Sequence, residues 1–424
     1  MSDINVTIPG GKAKRLKTAG KYCEQDIVVT AEKPMPLTEK EVNFYDYDGT
    51  LLYAYTIEEA QALTELPPLP TQPGLTCQGW NWTLNDILEL PEESIGADIG
   101  AIYETADGKT HCYFEILDKY SGTVELRFTG TLDIEWGDGT VQTGVTSPVT
   151  HVYADQGLYV AKLYSASSYY LGGGTDFTRF VGRGINSLVR LHLANNARLH
   201  FNGYALNFSL SLRCITIPKG GELGRNGVEY CYNLNFIALS HKNAIGLYSL
   251  RSCYSLRTVS VPLEATMQAQ GLRDCNSLRR YATAGSTKFY DTYQLYQCKA
   301  LTEAFVGAYN ITASMFSYCN SLRHVVFLEG ATKIDTDGLA NTSIEKFTIP
   351  STVTNIGSGA FKSCTKLRCI QFKPTTPPTI ANADAFTGIP TYCVVEVPAE
   401  SLETYKNATN YASIAAQMVG GEQL

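Results

Sequence analysis

The sequence is poor in charge, in methionine and in long apolar runs. Charged residues make up 18% of it, below the ~25% typical of soluble chains, so it reads as neither disordered nor coiled-coil. Basic residues do not prevail. The 34 Lys and Arg against 41 Asp and Glu leave a net charge of −7, and the basic footprint of a nucleic-acid binder is missing. No stretch approaches the ~18 uninterrupted apolar residues that a membrane span needs, so no membrane insertion is expected. The N-terminus, MSDINVTIPGGKAKRLKTAG, has no apolar h-region, and the expectation is synthesis in a bacterial cytoplasm without a signal peptide. A G-x-x-x-x-G-K-[ST] loop is absent, as are paired C-x-x-C motifs. None of the six histidines, His111, His151, His192, His200, His241 and His324, lies in a Ser, Cys or zinc-binding motif. No catalytic residue, metal ligand or cofactor is therefore expected. What is abundant is tyrosine, with 27 residues, glycine, with 36, and proline, with 17. That mix suits many turns and short strands. A chain of 424 residues suggests two to four domains.

The second half repeats itself. Its copies read INSLVRLHL, LSLRCITIP, CYNLNFIAL, CYSLRTVSV, CNSLRRYAT, CKALTEAFV, CNSLRHVVF, NTSIEKFTI and CTKLRCIQF. The apolar anchors are Leu188, Leu212, Leu234, Leu256, Leu278, Leu301, Leu322, Ile344 and Leu367, separated by 24, 22, 22, 22, 23, 21, 22 and 23 residues. A period of 20–29 residues with an L-x-x-L-x-L core is the leucine-rich-repeat signature. After each anchor the pattern x-x-apolar-x-apolar, as in Leu212, Ile215 and Ile217, predicts a strand with one buried face. Each unit buries that face by stacking on its neighbours, which makes a solenoid. Cys231, Cys253, Cys275, Cys298, Cys319 and Cys364 all stand three residues before an anchor. The reading favoured is a buried ladder of free thiols, since Cys is a small, readily buried hydrophobe.

This half resembles the BspA-like class of leucine-rich repeats over about residues 180–415. The copy IPSTVTNIGSGAFKSCTKLRCIQF, Ile349 to Phe372, is nearly that family's consensus. The ending PPTIANADAFTGIPTYCVVEVPAESLETYKNATNYASIA also resembles it, and implies a final strand and a short capping helix near Ala399 to Asn407. The family is linked to surface adhesion and host contact. The middle copies lack its IP-x-x-V-x-x-IG segment, which leaves their convex side open.

In the first half, WGDGT at Trp136 to Thr140, His151-x-Tyr153 and Gly157-x-Tyr159-x-Ala161-x-Leu163 resemble a PKD domain. That resemblance implies an immunoglobulin-like sandwich with WGDGT as a tight turn and the Tyr after the Gly in the core. Its strands are expected to begin near Ala97 to Leu117, on either side of an ADGKT turn. Earlier, Thr56 followed by Glu residues predicts a helix N-terminus, and Trp80 and Trp82 are candidates for a small core. The segment Asp46-Tyr47-Asp48-Gly49-Thr50 resembles the DxDGT signature of haloacid-dehalogenase phosphatases, with Asp46 as nucleophile and Asp48 as acid/base. The strand–helix alternation that such chemistry requires is missing, and Asp-Gly turn chemistry makes a hairpin the favoured reading. KTAGKYCEQDIVVTA and VNFYDYDGTLLYAYTIEEAQALTELPPLPTQPGLTCQGWNW resemble N-terminal segments of tail-associated proteins of phages and prophages.

The expected organisation is multidomain and mainly β. Residues 1–32 form a virion-attachment segment, 38–92 a small α+β module, 94–166 a PKD-like sandwich, 180–395 the solenoid, and 396–424 a helical cap and tail. GGG at Gly172 to Gly174 reads as a linker between sandwich and solenoid. Positions two and four after each anchor should project from an exposed sheet face, and position one is repeatedly Arg. The candidate ligand-binding residues are Arg190, His192, Arg213, Phe236, Arg257, Arg279, Arg280, Phe305, Arg323, His324 and Lys346, with Glu303 among them on the sheet. Arg recognises phosphate and carboxylate. Tyr230, Tyr232, Tyr248, Tyr254, Tyr290, Tyr293 and Tyr296 add contact area at low entropy cost. The function favoured is a non-enzymatic tail-fibre or baseplate protein of a virion that recognises a host cell-surface glycan or protein. It would join other tail proteins through residues 1–92 and assemble as a homo-oligomer, a trimer by analogy. The alternatives are a capsid decoration protein, a bacterial surface adhesin and, remotely, a phosphatase.

Overall fold

The computed structural model describes residues 41–117, 122–172, 179–200, 204–221, 223–240, 245–263, 265–282, 288–289 and 291–421. The attachment segment read at 1–32 lies outside them, as do His241, Tyr290 and the last two glycines of the GGG run. From Lys40 onward the chain is one compact unit, mainly β, with little helix. Among the described residues no helix is long and apolar enough to cross a membrane.

The module begins with a hairpin of β1 (Val42–Tyr45) and β2 (Leu51–Tyr55). The turn forms where Asp-Gly chemistry predicts it. Gly49 takes a left-handed φ of 85°, and Asp48 accepts the Thr50 N–H at 2.9 Å. The Asp46 carboxylate accepts hydrogen bonds from Tyr103 Oη at 2.7 Å and Gln72 Nε2 at 2.6 Å. Helix α1 (Ile57–Gln61) starts at Thr56 in a capping box with Glu59, and α2 (Leu84–Leu88) starts at Thr83 in another with Asp86. Each box satisfies amides that a helix start leaves unpaired. With β3 (Leu75–Trp80) and β4 (Ala97–Thr105) the sheet order is β2-β1-β4-β3, and β1 is parallel to β4 alone. This is not a doubly wound sheet, so the scaffold of the phosphatase resemblance is missing. Phe44, Trp80, Trp82 and Ile87 build the core.

One boundary moves. The runs flanking ADGKT were expected to open the sandwich together. Instead β4 completes the module, and β5 (Thr110–Ile116) enters a different sheet. The reason is burial. Eight of the nine β4 side chains are buried, which requires cover on both faces, and only the slot between module and solenoid provides it.

The sandwich comprises β5, β6 (Thr123–Leu126), β7 (Thr131–Glu135), β8 (Val141–Thr146), β9 (Val149–Val152) and β10 (Gly157–Tyr164), with β11 (Tyr169–Leu171) and β12 (Val181–Arg183) following. One sheet runs β12-β6-β9, and the other contains β5-β10-β7-β8. Between them sits Trp136, stacked on His151 at 4.5 Å between ring centroids. WGDGT is the β7–β8 turn, closed by Trp136 N–H to Thr140 C=O at 2.9 Å. Tyr153 is the tyrosine fully in the core, while Tyr159 is half-buried against it.

The solenoid continues the sandwich directly. β13 (Leu188–His192) pairs antiparallel with β5, and β15 (Cys214–Thr216) pairs parallel with β13. β14 (Ala197–Leu199) pairs parallel with β11. Sandwich and solenoid share one core, from Cys112 and Phe114 to Ile414 and Met418. This shared sheet caps the open end of the repeats, and most of the GGG run read as a linker lies outside the described residues. Parallel strands follow at β16 (Phe236–Ala238), β17 (Thr258–Ser260), Glu303–Gly307, His324–Phe327, Lys346–Ile349 and Cys369–Phe372. At the far end come a 3₁₀ turn, Ala399–Ser401, helix α3 (Leu402–Lys406) and a last strand, Met418–Gly421. Tyr405 and Tyr411 pack there on Phe372.

The cysteine ladder has a second cause besides packing. Each thiol donates to a carbonyl of the preceding copy. Cys231 Sγ reaches Leu206 O, Cys253 reaches Val228 O and Cys275 reaches Leu250 O, each at 3.2 Å. Cys298 reaches Leu272 O and Cys319 reaches Leu295 O at 3.1 Å, and Cys364 reaches Leu339 O at 3.2 Å. The position therefore takes a small apolar side chain with a weak donor. All eleven described cysteines are free. Burial pushes the Cys253 and Cys319 thiols up to about 12. In the copy that lacks Cys, Thr342 takes the place beside Cys364 and donates to Leu339 O at 2.9 Å.

Candidate functional site

The sheet face of the early copies is not open, because the module lies on it. β4 crosses β15, β16 and β17. Phe236 is 1% exposed and packs on Tyr45 at 5.5 Å. A side chain on Gly100 would place its Cβ 2.4 Å from Ala238 Cβ and 3.2 Å from Ser260. Glycine is thus required where two backbones meet. Asn81 Nδ2 donates to Leu239 O and to Ser260 Oγ, both at 2.9 Å. Trp82 Nε1 donates to Val261 O at 2.8 Å. Arg280 forms an ion pair with the buried Asp98. Phe305 is buried among Ile95, Ala282 and Val326.

His192 is buried too, edge-on to the rings of Tyr47 and Tyr113, with Nδ1 3.0 Å from Thr216 Oγ1. Burial, and then the Arg190 charge, push its pKa down to about 3. His192, Phe236, Arg280 and Phe305 were expected on an exposed face. All four instead hold the module against the solenoid, because its apolar underside buries theirs.

The other candidates remain at the surface. Arg190 is exposed, its guanidinium 5.1 Å from the Tyr113 ring centroid. Arg213 is exposed and lies 3.3 Å from Glu115. Arg257, Arg279 and Arg323 are exposed. With Arg368, which lies 3.8 Å from Glu345, they occupy the position just after each anchor. Backbone bonds align that position into a column, for example Arg257 N–H to Asn235 C=O and Thr302 N–H to Arg279 C=O. His324 and Lys346 stand exposed on the sheet of the late copies, which the module leaves uncovered.

The turn before each anchor from Leu212 to Leu367 is the same, including in the middle copies that lack the consensus segment. Two left-handed residues, four apart, recur at 204 and 208, 226 and 230, 248 and 252, 270 and 274, 293 and 297, 314 and 318, and 337 and 341. The last pair is Gly359 and Ser363. This alternation turns backbone amides toward the next copy, as in Tyr230 N–H to Arg251 C=O and Tyr248 N–H to Ala269 C=O. It thereby satisfies groups that would otherwise be lost in a buried turn. For a residue with a Cβ the left-handed region costs about 1–2 kcal/mol, and Asn, Asp and Gly bear it best.

The early copies nonetheless place large aromatic rings at six of these twelve positions, with Tyr232, Tyr254 and Tyr296 beside them. Phe208 stacks on Tyr230 at 4.5 Å and Tyr232 on Tyr254 at 4.7 Å, with Tyr230 and Tyr232 edge to face at 6.3 Å. The Arg251 guanidinium lies 4.7 Å from the Tyr248 centroid and 5.3 Å from that of Tyr230. Arg273 lies 4.9 Å from Tyr296. Arg251 pairs with the buried Glu229, and Arg273 with Asp274 at 3.2 Å. The result is one continuous aromatic and guanidinium stripe, most exposed at Phe208, Tyr254 and Tyr318. Tyrosine abundance pointed to it, but the left-handed positions were invisible without the backbone.

Among the described residues no cluster of His, Cys, Asp or Glu could hold a metal ion. Comparison with known proteins agrees with this repeat geometry. The chain matches the BspA type Leucine rich repeat region, in six copies, over residues 183–302 and 292–410. Among solved structures it is similar to a leucine rich cell surface protein from Faecalibacterium prausnitzii at 18% identity and a TM-score of 0.33, covering 51% of this chain and 56% of that one. It is also similar to a leucine-rich repeat protein from Bacteroides ovatus at 16% identity and a TM-score of 0.27, covering 70% and 98%. The chain thus spans little more than half the length of the first of these. No curated protein matches. The family match takes in more than half of the 424 residues, and the chain belongs to the BspA-type leucine-rich-repeat family.

Proposed function

We propose that this is a non-enzymatic binding protein that recognises a partner at a cell surface through its solenoid. The observation that carries the reading is the display of exposed side chains in columns. Arg257, Arg279 and Arg323 line one edge, and the aromatic stripe lines the turn side. Repeat stacking produces such extended surfaces. The acidic pair of the phosphatase resemblance is tied up in a hairpin turn, with Asp46 engaged by Tyr103 and Gln72.

The finer form of the proposal is a virion tail-fibre or baseplate protein. It is supported by the resemblance of KTAGKYCEQDIVVTA, within residues 1–32, and of the segment around the hairpin to tail-associated proteins. In that form residues 1–32 dock on the particle, the sandwich at 94–166 acts as a PKD-like spacer, and the protein works as a homo-oligomer. The test is binding of the full chain to intact bacterial cells and to isolated walls. Saturable binding is the expected result, and no binding in any oligomeric form would overturn the reading. Deletion of residues 1–32 should abolish particle incorporation. Incorporation that survives it would remove the tail assignment.

A further inference from the structure

The two left-handed positions of each copy separate what the fold needs from what else is present. In the last copies they hold Asp337, Asn341, Gly359 and Ser363, with φ of 52°, 59°, 62° and 59°. These are small residues, three of them types that tolerate such backbone best. In the earlier copies six of the twelve such positions hold rings, Tyr204, Phe208, Tyr230, Tyr248, Tyr293 and Tyr318, with φ between 58° and 66°, and the other six hold Asn, Ser, Gln or Asp. The turn is the same, so the fold does not require the rings. They stand where a bulky side chain is least favoured; Phe208 and Tyr318 are exposed, at 37% and 44%, and the other four are partly buried at the surface. Strained backbone retained beside an accessible surface points to use of that surface.

The chemistry of the stripe narrows the partner. Its guanidinium groups at Arg251 and Arg273 are already paired with Glu229 and Asp274, and Arg179 lies 5.0 Å from the Phe208 ring centroid at the first end, so it offers no repeated positive column to phosphate or carboxylate. It offers ring faces, phenol hydroxyls and the amide of Gln270, which reaches Tyr248 Oη at 3.4 Å. From the copy of Phe208 to that of Tyr318 it runs about five repeat steps, or roughly 24 Å at ~4.8 Å per strand. That is an extended platform with rings at the left-handed positions of five of its six copies. Ring faces that stack, hydroxyls and amides that hydrogen-bond, and arginines paired along most of the stripe, with Arg179 over Phe208 at its first end, suit a linear, neutral polysaccharide.

We propose that the aromatic stripe between Phe208 and Tyr318 is a binding platform for a neutral polysaccharide chain. This rests on the reading of the protein as a cell-surface binder and names its ligand class. The arginine column at 257, 279 and 323 is a separate surface and is not part of it.

The test uses the full chain in native gels that contain soluble neutral polysaccharides, namely mixed-linkage β-glucan, mannan or soluble starch. Polygalacturonate serves as the acidic comparison. Retardation by a neutral polymer and none by polygalacturonate is the expected result. The triple variant Tyr230→Asn, Tyr248→Asn, Tyr318→Asn should lose at least tenfold in affinity while its Tm stays level or rises, because Asn suits the left-handed backbone. Three results would overturn the proposal. One is free passage through every neutral gel by a chain that still binds cells. Another is wild-type retardation by the triple variant. The third is a Tm lowered by the triple variant, which would show that the rings are kept for packing. Cell binding that protease treatment abolishes and glycan stripping spares would assign the surface to a protein partner and sink the platform. A chain that binds neither cells nor gels would instead fail the broader reading.

Discussion

The copies from Tyr204 to Tyr318 and those from Asp337 to Cys364 share one backbone but carry different side chains on both faces. In the early copies the sheet is covered by the chain's own module, and half of the left-handed turn positions carry aromatic rings. In the late copies the sheet lies open with His324 and Lys346 on it, and the turns carry Asp, Asn, Gly and Ser. The difference separates two kinds of residue that a repeat alignment mixes. A ring under the module, such as Phe236, is a packing residue. A ring at a left-handed turn, such as Tyr318, has no packing reason to be there that the late copies share.

The largest test of this contrast removes the cover. A fragment of residues 170–424 loses both the module and β5, the strand that closes the solenoid's first edge. It should lose its cooperative thermal transition and elute as aggregate in size-exclusion chromatography, since edge strands and apolar faces exposed together invite association. A fragment that melts like the full chain would mean that sandwich and solenoid are separable after all.

A smaller effect distinguishes the two classes of arginine. Arg280→Ala leaves Asp98 buried without its partner and should cost about 3–5 kcal/mol in chemical denaturation. Arg257→Ala and Arg323→Ala change exposed side chains and should stay within about 0.5 kcal/mol. Equal costs in both classes would erase the distinction between covered and open columns.

Acid sharpens the contrast further. His192 titrates at about 3 in the folded chain, held down by burial first and Arg190 second, against ~6.5 when unfolded. Between those values the unfolded state binds the extra proton, so stability is full above about pH 6.5 and falls as the pH drops. At pH 4.5 the loss from this residue is about 2–3 kcal/mol. His192→Asn should flatten that part of the stability profile. An unchanged slope in the His192 variant would mean that the imidazole is not buried under Tyr47.

The smallest effect concerns the ladder common to both halves. Cys275→Ala removes one thiol and its bond to Leu250 O and should cost about 1 kcal/mol. The native ladder thiols should not react with an aromatic disulfide reagent until the chain unfolds. Rapid reaction of all of them in the native state would contradict their burial.

Much of this architecture was legible in the residues. The anchors from Leu188 to Leu367 carry the repeat, because a solenoid buries the same few positions at a fixed period. Thr56 marked a helix start, and Asp48-Gly49 marked a turn, because both act through bonds to neighbours in the chain. The reading failed where one stretch touches another far along the sequence. Ala97–Thr105 looked like the first strand of a sandwich hairpin, yet it pairs with β1 and lies on β16 and β17. The sequence does carry one signal of this approach. Positions four after the anchor read Ala238, Ser260 and Ala282 in the middle copies, and small residues in a strand column mark a close approach.

Period, strand phase, the cysteine ladder and the local caps were set by the sequence alone, since each depends on contacts at short or regular separation. Which strand faces stay open, which arginines are buried and which rings sit on left-handed backbone were decided by the tertiary structure. These depend on where a module some 150 residues upstream comes to rest and on a backbone alternation that no single residue type encodes.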